Sequence, residues 1–324
     1  MNKEKYNIAL VGATGLVGSV FIKLLDEYQI PIDNLRFFAS KKSKGKKIRF
    51  QEKSIEVEEL NDEAFLDMDF VLFSAGKEVS KKYAPIAEKS GAIVIDNSSF
   101  FRMQKDIPLV IPEINFDDIS LAERRIIANP NCSTIQVVRI LSLIQKHYHI
   151  KKIVYNTYQS VSGSGMKGVF DYQSAYEGYP CEFYPYDISK TCIPLIGDLL
   201  EDNYSEEEIK MREETKKILR LENVNINATC IRVPIVIGHG VSTYLETEEE
   251  IDLKKIEEEL NSNEDILLKK VNTTIEVNDT DKISVGRLRK GEKNNSLLFY
   301  CTADNLRVGA ASNALKILLK IIKK

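Results

Sequence analysis

Cys132 has the local setting of a reactive thiol. It lies in NPNCST, residues 129–134, and the segment CSTIQVVRILSLIQKHY that it opens is apolar at helical spacing. Pro130 and Asn131 stand where such a helix begins, so the sequence predicts a helix that starts at Cys132. The unpaired N–H groups of a helix start stabilise a thiolate and lower the pKa of a thiol. Cys132 is therefore a candidate nucleophile, and the alternative is a small buried residue, as cysteine commonly is.

A catalytic thiol usually works beside an imidazole, and the chain has three histidines. His147 and His149 lie at the far end of the helix that Cys132 begins. At ~1.5 Å per residue, His147 is roughly 22 Å from the thiol, too far for proton transfer. His239 remains, after a predicted strand and between two glycines. It would meet Cys132 only if two domains face each other across a cleft.

Three further side chains could bind an anionic substrate. Arg232 stands seven residues before His239, where its guanidinium could hold a carboxylate through two hydrogen bonds, unless it points outward at the surface. Gln159, at a strand end before a glycine-rich turn, could position a carbonyl group. Arg102 follows the strand that ends in VIDN and is a candidate anion ligand.

The segment GATGLVG, between a predicted strand and a predicted helix, has the pattern of a dinucleotide-binding turn. Gly12, Gly15 and Gly18 would let the backbone approach a pyrophosphate, which the first N–H groups of the helix would bind. The spacing is G-x-x-G-x-x-G rather than the commoner G-x-G-x-x-G. The alternative is a tight turn that binds no nucleotide.

The end of the second predicted strand indicates which dinucleotide is bound. An NAD site usually has an acidic residue there, which binds the ribose hydroxyls. Here the strand LRFFA is followed by Ser40, Lys41, Lys42, Ser43 and Lys44, with no carboxylate among them. Ammonium and hydroxyl groups suit a 2′-phosphate, so the sequence predicts NADP in preference to NAD. The alternative is a solvated basic loop.

These residues belong to two predicted domains of different architecture. Up to about residue 130 strands alternate with helices, which predicts an α/β domain with a parallel, doubly wound sheet. From about residue 151, longer strands and charged helices predict an α+β domain with an antiparallel sheet and helices on one face. A length of 324 residues also favours two domains. The apolar tail with its cationic end predicts a C-terminal helix.

Composition excludes several classes of protein. The formal net charge of −3 gives no sign of nucleic-acid binding. No apolar run approaches the roughly 18 residues of a membrane-spanning helix, and the N-terminus lacks the apolar region of a signal peptide. The five cysteines have no metal-ligand spacing. We therefore expect reduced thiols, no metal site and a cytoplasmic protein.

The chain resembles the aspartate-semialdehyde dehydrogenases, in the style of their bacterial members. The resemblance covers essentially the whole chain and is carried by nine motifs in register, GATGLVG, FSAG, DNSSFFRM, PLVIPEIN, NPNCSTIQ, YQSVSGSG, EEEIKMREETKKIL, RVPIVIGH and DNLRVGAA. It implies a Rossmann-like NADP-binding domain, residues 1–131 with 303–324. It also implies an α+β catalytic and dimerisation domain, residues 132–302, like that of glyceraldehyde-3-phosphate dehydrogenase, and a homodimer or homotetramer.

The activity that the resemblance implies is NADPH-dependent reductive dephosphorylation of L-aspartyl-4-phosphate to L-aspartate-4-semialdehyde. This step is the branch point toward lysine, threonine, methionine and isoleucine. The implied catalytic residues are Cys132 as nucleophile, His239 as general acid/base and Gln159, which orients the acyl group. The implied substrate ligands are Arg232 for the α-carboxylate, Glu207 for the α-amino group, and Arg102, Asn131 and Lys210 for the phosphate. The implied cofactor ligands are Gly12, Thr14, Gly15 and Val17 at the pyrophosphate, Ser40 and Ser43 at the 2′-phosphate, and Ser74, Ala75, Gly76 and Asn305 along the nicotinamide half.

Two alternatives stand beside this interpretation. N-acetylglutamyl-phosphate reductase has the same chemistry, but its nucleophile motif typically reads P-G-C-Y and its acylated amine needs no carboxylate partner. Asn131 and Glu207 favour the aspartyl substrate. The second alternative is an NADP-binding regulatory protein without turnover. The sequence departs from the family's usual pattern at Gly240 and Val241, which follow His239, and at Ser312.

Overall fold

The computed structural model describes residues 3–324 and divides the chain into two compact units. The first unit comprises the described residues up to Pro130 together with Ala310–Lys324, and the second unit is Asn131–Gly309. The family resemblance implies that the chain returns to the first domain at residue 303, whereas in the structure it returns at Ala310. The intervening residues are held by Asp304, whose carboxylate accepts the N–H groups of Leu306 and Arg307 and whose carbonyl accepts that of Gly309.

The first unit contains a seven-stranded sheet that is parallel except at one edge. Its strands are Tyr6–Val11 (β1), Ile32–Ala39 (β2), Lys47–Phe50 (β3), Lys53–Glu59 (β4), Phe70–Phe73 (β5), Ile93–Asp96 (β6) and Ile126–Ala128 (β7). The order is β3-β4-β2-β1-β5-β6-β7, and only β3 pairs antiparallel with its neighbour. The predicted parallel, doubly wound sheet is therefore confirmed. The strand order reverses beside β1, which is where such sheets bind ligands at the carboxyl ends of their strands.

The helices of the first unit are Leu16–Glu27 (α1), Lys77–Lys89 (α2), the short Pro112–Asn115 (α3) and Asp118–Leu121 (α4), and the C-terminal Asn313–Lys323 (α9). The C-terminal helix was predicted from its apolar spacing. Leu315 and Leu318 of α9 are fully buried in the same core as Phe21 and Leu24 of α1. Burial of one such side chain contributes about 1.5–3 kcal/mol, so α9 is an integral part of this unit.

The second unit contains a six-stranded mixed sheet. Its strands are Ile150–Gln159 (β8), Asn225–Arg232 (β9), His239–Thr247 (β10), Ile266–Leu268 (β11), Ile283–Lys290 (β12) and Ser296–Ala303 (β13), in the order β11-β12-β13-β10-β8-β9. The predicted antiparallel pairing is confirmed for β10 with β8, β10 with β13 and β12 with β13, and it is wrong for β8 with β9 and β11 with β12, which are parallel. The first of these pairs is joined by the long segment between residues 159 and 225, which supplies the crossover that a parallel pair requires.

The helices of the second unit are Cys132–Gln145 (α5), Gly165–Tyr176 (α6), Glu206–Leu219 (α7) and Leu253–Asn261 (α8). Helix α5 contacts β8, β10 and β13 as well as α7 and α8, and nearly all of its residues are buried. Helix α7 begins with a capping box in which Ser205 and Glu208 bond each other's backbone N–H groups. None of the helices within residues 3–324 has the length and apolar character needed to cross a membrane.

Candidate active site

Cys132 is the first residue of α5, as predicted. The Asn131 side chain caps this helix, and its Oδ1 accepts the N–H groups of Ser133 at 2.9 Å and Thr134 at 3.2 Å. Gly309 packs directly on the cysteine, because a Cβ atom at position 309 would lie only 2.7 Å from the Cβ of Cys132. The nucleophile candidate is thus held by its own helix start and by the backbone at residue 309.

The other cysteines lie in different surroundings. Cys230 in β9 and Cys301 in β13 are fully buried, and burial raises the pKa of both thiols. Burial also raises the pKa of the Cys181 thiol, and Cys192 is exposed. Among the five cysteines, Cys132 is the one that is both partly exposed and the first residue of a helix.

A buried carboxylate, Glu207, joins several of the predicted substrate ligands. Its Oε1 accepts from the Asn131 amide at 2.8 Å and from the Gln159 amide at 3.1 Å. Its Oε2 accepts from the Lys210 ammonium at 3.3 Å. Burial alone would raise the pKa of Glu207, but Lys210, the two amides and the Arg232 guanidinium outweigh it and lower that pKa. The structure therefore brings three predicted site residues, Asn131, Gln159 and Lys210, into hydrogen bonds with one ionised carboxylate.

His239 is the first residue of β10 and is fully buried. Its Nδ1 accepts the backbone N–H of Ser160 at 3.1 Å, and the Ser160 hydroxyl lies at the same distance. Its Nε2 has no hydrogen-bond partner among residues 3–324. Burial and the Arg232 guanidinium lower the pKa of His239 to about 3, although Glu207 and the Gly238 backbone act in the opposite direction. The imidazole is therefore neutral at physiological pH.

Arg232 ends β9 and is buried, so the predicted alternative of an outward-facing surface arginine is wrong. Its Nη1 donates to the Ser160 carbonyl at 2.6 Å. A Cβ atom at position 163 would lie 2.7 Å from this Nη1 and 3.1 Å from Nε2 of His239. Gly163 thus packs closely on both side chains, and a larger residue at this position would crowd the guanidinium and the imidazole.

Cys132 and His239 both belong to the second unit, so the predicted cleft between two domains is not needed to bring them together. Gln136, one turn after Cys132 and roughly 6 Å further along the helix axis, donates to the His239 carbonyl at 3.2 Å. His147 and His149 are bonded elsewhere, to Glu259 and Glu249. The elimination of these two histidines is consistent with the structure.

Ser160 and Ser162, near His239, are not predicted as site residues from the sequence. Both contact Asn305, which is predicted as a cofactor ligand and is buried. The Oδ1 of Asn305 accepts the Gly238 N–H at 2.8 Å and the Ser160 hydroxyl at 3.1 Å. Its amide donates to the Ser162 hydroxyl at 3.0 Å. The signal available in the sequence was SVSGSG after Gln159, where small hydroxyl and glycine residues permit close packing.

The glycine turn of the first unit has the geometry that its pattern predicts. Gly12 has φ +87°, and a Cβ atom there would lie 2.3 Å from the Ser74 carbonyl oxygen. A Cβ atom on Gly18 would lie 2.3 Å from the Gly12 carbonyl oxygen, and Gly15 is the N-cap of α1. The turn opens on a cleft of about 410 Å³ whose lining includes Gly12, Thr14, Gly15, Ser40, Lys41, Ser74 and Ala75.

The three remaining predicted cofactor residues of this unit lie next to that lining. Val17 is in the first turn of α1, and Gly76 is the N-cap of α2. Ser43 is bonded through its hydroxyl to Thr14 at 3.4 Å. One carboxylate was not anticipated, because Glu59 at the end of β4 also lines the cleft and pairs with Lys44 at 3.4 Å.

Arg102 belongs to the first unit and follows β6. It is buried, and its Nη2 donates to the Asn97 carbonyl at 2.9 Å. Burial raises the pKa of the nearby Asp96 carboxyl, and the charge of Arg102 partly offsets that rise. The guanidinium is therefore anchored at the end of β6, beside a buried carboxyl group.

Comparison with known proteins matches a family domain to each of the two units. Residues 7–122 match the family model for the semialdehyde dehydrogenase NAD binding domain, and residues 140–308 match the semialdehyde dehydrogenase dimerisation domain. The aspartate-semialdehyde dehydrogenase of Campylobacter jejuni is 40% identical over 335 residues, which covers 98% of this chain and 97% of the relative. The chain belongs to the aspartate-semialdehyde dehydrogenase family. It therefore contains a dinucleotide-binding domain and a dimerisation domain.

Other members of the aspartate-semialdehyde dehydrogenase family agree in sequence and in fold. The Aquifex aeolicus enzyme is 40% identical over 336 residues, which covers 98% of each chain. A crystal structure of aspartate semialdehyde dehydrogenase II from Vibrio cholerae, complexed with ASA, has a TM-score of 0.95 at 37% identity and covers 99% of each chain. The predicted fold class, a Rossmann-like domain followed by an α+β domain, is thus confirmed. These relatives do not favour N-acetylglutamyl-phosphate reductase.

Proposed function

We propose that the protein catalyses the NADPH-dependent reductive dephosphorylation of L-aspartyl-4-phosphate to L-aspartate-4-semialdehyde, in the biosynthesis of amino acids of the aspartate family. The observation that carries the proposal is the cluster in the second unit: Asn131, which caps the helix that Cys132 begins, bonds the ionised Glu207, and Gln136 of the same helix bonds the carbonyl of the buried His239. Full-length relatives that carry this enzyme's name support the same activity.

The charges of the cluster match those of the substrate. Arg232 would bind the α-carboxylate, since its buried guanidinium lies near enough to Glu207 to lower the pKa of that carboxyl group. Glu207 would bind the α-ammonium group, which an acylated amine would not offer. Lys210, Asn131 and Arg102 would hold the phosphate. A substrate with one ammonium and two anionic groups thus meets one carboxylate and several cations.

The chemistry divides one difficult step into two. The Cys132 sulfur attacks the acyl carbon, phosphate leaves, and a thioester remains on the enzyme. Gln159 would orient the acyl group, and His239 would act on the carbonyl oxygen as the general acid/base. The reduced nicotinamide supplies the hydride that converts the thioester to the aldehyde.

The cofactor that we propose is NADP. Gly12, Thr14, Gly15 and Val17 would surround the pyrophosphate, and Ser74, Ala75, Gly76 and Asn305 would line the nicotinamide half. Ser40 and Ser43 would bind the 2′-phosphate together with Lys41, which lines the cleft. Glu59 would repel that phosphate, but its charge is shared with Lys44. The net charge at this end of the cleft therefore still favours a 2′-phosphate over a free hydroxyl.

We further propose that the protein is a homodimer, or a tetramer built from dimers, and that it works in the cytoplasm. The dimerisation domain exposes large apolar side chains between residues 166 and 200, including Phe170, Tyr176, Tyr179 and Tyr186 at 58–77% exposure. Such a concentration of exposed aromatic residues is typical of a protein interface. A reducing cytoplasm would keep the Cys132 thiol active.

The test of this function is the reverse reaction with two substrates. Wild-type protein should form NADPH from NADP⁺, phosphate and L-aspartate semialdehyde, and little from N-acetylglutamate semialdehyde. Cys132→Ser should lose nearly all activity while it still binds NADP. Equal turnover of the two aldehydes, or an active Cys132→Ser variant, would overturn the proposal.

A further inference from the structure

We propose that Arg307 and Asp281 are positioning residues for the nucleophile. Their ion pair fixes the turn formed by residues 304–309, and this turn holds Cys132 in place through the backbone of Gly309. The inference rests on the proposed function only for the role of Cys132 as the nucleophile.

The backbone of Gly309 lies directly against Cys132. A Cβ atom at position 309 would lie 2.7 Å from the Cβ of Cys132, 3.0 Å from its Cα and 3.2 Å from its carbonyl oxygen. Because the sulfur projects from this Cβ, a contact there restricts the direction in which the thiol points. The position of the 304–309 turn therefore helps to set the orientation of the nucleophile.

The 304–309 turn is wider than a turn of an α-helix. The Gly309 N–H donates to the carbonyl of Asp304 at 3.0 Å, five residues earlier, and the segment Arg307–Ser312 is π-helical. An α-helical bond would join residue 309 to residue 305 instead. Single π-helical turns are rare in proteins and are frequent at functional sites. Since this spacing is not the preferred one, the turn depends on contacts from outside itself.

The guanidinium of Arg307 provides such a contact. Its Nε and Nη2 donate to the two carboxylate oxygens of Asp281, at 3.0 and 2.9 Å, and its Nη1 lies 3.4 Å from Oδ1 of Asp279. Only 5% of the Arg307 side chain is exposed, so water screens the pair with Asp281 less than it screens a surface pair. A bidentate pair fixes orientation as well as distance. The pair with Asp281 therefore holds residue 307, inside the turn, in one place.

The segment before β12 connects the turn to the sheet of the second unit. Asp281 stands two residues before β12, which pairs with β13, and β13 ends at Ala303, just before the turn. The Asp304 carboxylate also accepts the N–H of Asp279 at 2.8 Å. The turn is thus tied to this segment at residue 304 and at residue 307. Site residues that are supported by regular elements are held more precisely than residues on free loops.

A second buried ion pair of the same unit provides a matched control. Arg139 of α5 donates to Asp265 at 2.5 Å, and the exposed fractions of these two side chains are 8% and 24%. The corresponding values for Arg307 and Asp281 are 5% and 24%. Both pairs join an arginine to an aspartate just before a strand of the sheet, but Arg139 lies within α5 rather than in the turn that contacts Cys132. Loss of either pair should therefore have a similar effect on stability.

The test is the rate of iodoacetamide alkylation at each cysteine of the full-length protein, followed by peptide mass spectrometry over a range of pH. Asp281→Asn leaves Asp279 as an acidic partner of the buried guanidinium, and Arg307→Lys keeps the charge but loses the paired hydrogen bonds. In both variants we expect the high-pH plateau rate at Cys132 to rise about three- to ten-fold, because the released thiol samples more exposed orientations. The midpoint pH should stay within about half a unit of the wild-type value, because the helix start that stabilises the thiolate is unchanged.

The other cysteines report unfolding in the same experiment. Cys230 and Cys301 are fully buried and should stay unlabelled, while the exposed Cys192 gives a reference rate. The control Asp265→Asn should leave the Cys132 plateau rate at the wild-type value. An unchanged rate at Cys132 in both variants, an equal rise in the control, or labelling of Cys132 in step with the buried cysteines would overturn the inference. A midpoint shift of a unit or more would also overturn it, because the pair would then act on the thiol by charge. This readout needs no turnover, so it stands apart from the assay of the proposed function.

A double-variant cycle tests whether the pair acts through Gly309. Asp281→Asn should lower kcat about ten-fold and leave KM for NADP unchanged, since only the nucleophile is displaced. When Asp281→Asn is added to Gly309→Ala, kcat should fall no further, because both changes disturb the same contact. Losses that multiply in the double variant would contradict an action through Gly309.

Discussion

Gly163→Ala tests whether the reaction depends on the positions of the Arg232 guanidinium and the His239 imidazole, against which Gly163 packs. The new Cβ would lie 2.7 Å from Nη1 of Arg232, whereas ordinary contacts begin at 3.4 Å, so one of the two groups must move by about 0.7 Å. The guanidinium is held by the Ser160 carbonyl at 2.6 Å and cannot yield freely. A misplacement of about 1 Å near the reacting atoms can cost roughly 100-fold in rate. We therefore expect kcat/KM for L-aspartate semialdehyde to fall roughly 10- to 100-fold.

The assay must separate this effect from lost stability. Overpacking costs about 1–3 kcal/mol, which corresponds to a Tm decrease of about 2–4 °C per kcal/mol in a unit of this size. Gly91→Ala is the matched control, since Gly91 has φ +95° in a turn before β6 with nothing within 4 Å of a new Cβ. It should lose about 1–2 kcal/mol of stability through backbone strain and keep the wild-type kcat/KM. A Gly163→Ala enzyme with wild-type kcat/KM would refute the dependence of the reaction on the positions of Arg232 and His239.

Three further predictions concern the nucleophile, the ammonium site and the cofactor. Gly309→Ala should displace Cys132, because the new methyl group would lie 2.7 Å from the Cβ of Cys132. We expect kcat to fall more than ten-fold, while fluorescence titration still shows NADP binding. An unchanged kcat would argue against close packing of residue 309 on Cys132. Glu207→Gln should raise KM for the semialdehyde roughly 10- to 100-fold, because a charge-assisted hydrogen bond is lost, and KM for NADP should stay the same. Lys41→Ala should weaken NADP binding about ten-fold and leave NAD binding unchanged in a competition assay. An equal loss of affinity for both cofactors would contradict contact between Lys41 and the 2′-phosphate.

The elements that could be predicted from sequence are those with strong local patterns. The glycine turn after β1, the helix start at Cys132 and the apolar C-terminal helix are each encoded by a few neighbouring residues. The sequence analysis does not predict strands β3 and β4, although Ile48 and Phe50 in β3 and Ile55 and Val57 in β4 alternate with polar residues, because each strand has only two such apolar positions among many charged residues. The apolar run before His239 resembles a strand, but β9 ends at Arg232, and Pro234 lacks the N–H that a continued ladder requires.

The site residues were predictable by type, but their connections were not. Cys132, Arg232 and His239 are conspicuous because thiol, guanidinium and imidazole groups are chemically distinctive. The contact of Ser160 with His239 joins residues 79 positions apart, and that of Ser160 with Asn305 joins residues 145 apart. Such pairs depend on the register of β8 beside β10, which only the folded sheet determines. The contacts that join Ser160 to His239 and to Asn305 therefore have no signature in the sequence alone.

The thioester on Cys132 is the central claim, and it can be observed directly. Wild-type protein mixed with L-aspartate semialdehyde and NADP⁺ without phosphate should release about one equivalent of NADPH per active site in a burst and then nearly stop. Peptide mass spectrometry of the quenched enzyme should find an aspartyl group on Cys132, and added phosphate should restore steady turnover and remove it. Steady NADPH formation without a burst, or an aspartyl group on a residue other than Cys132, would contradict the account.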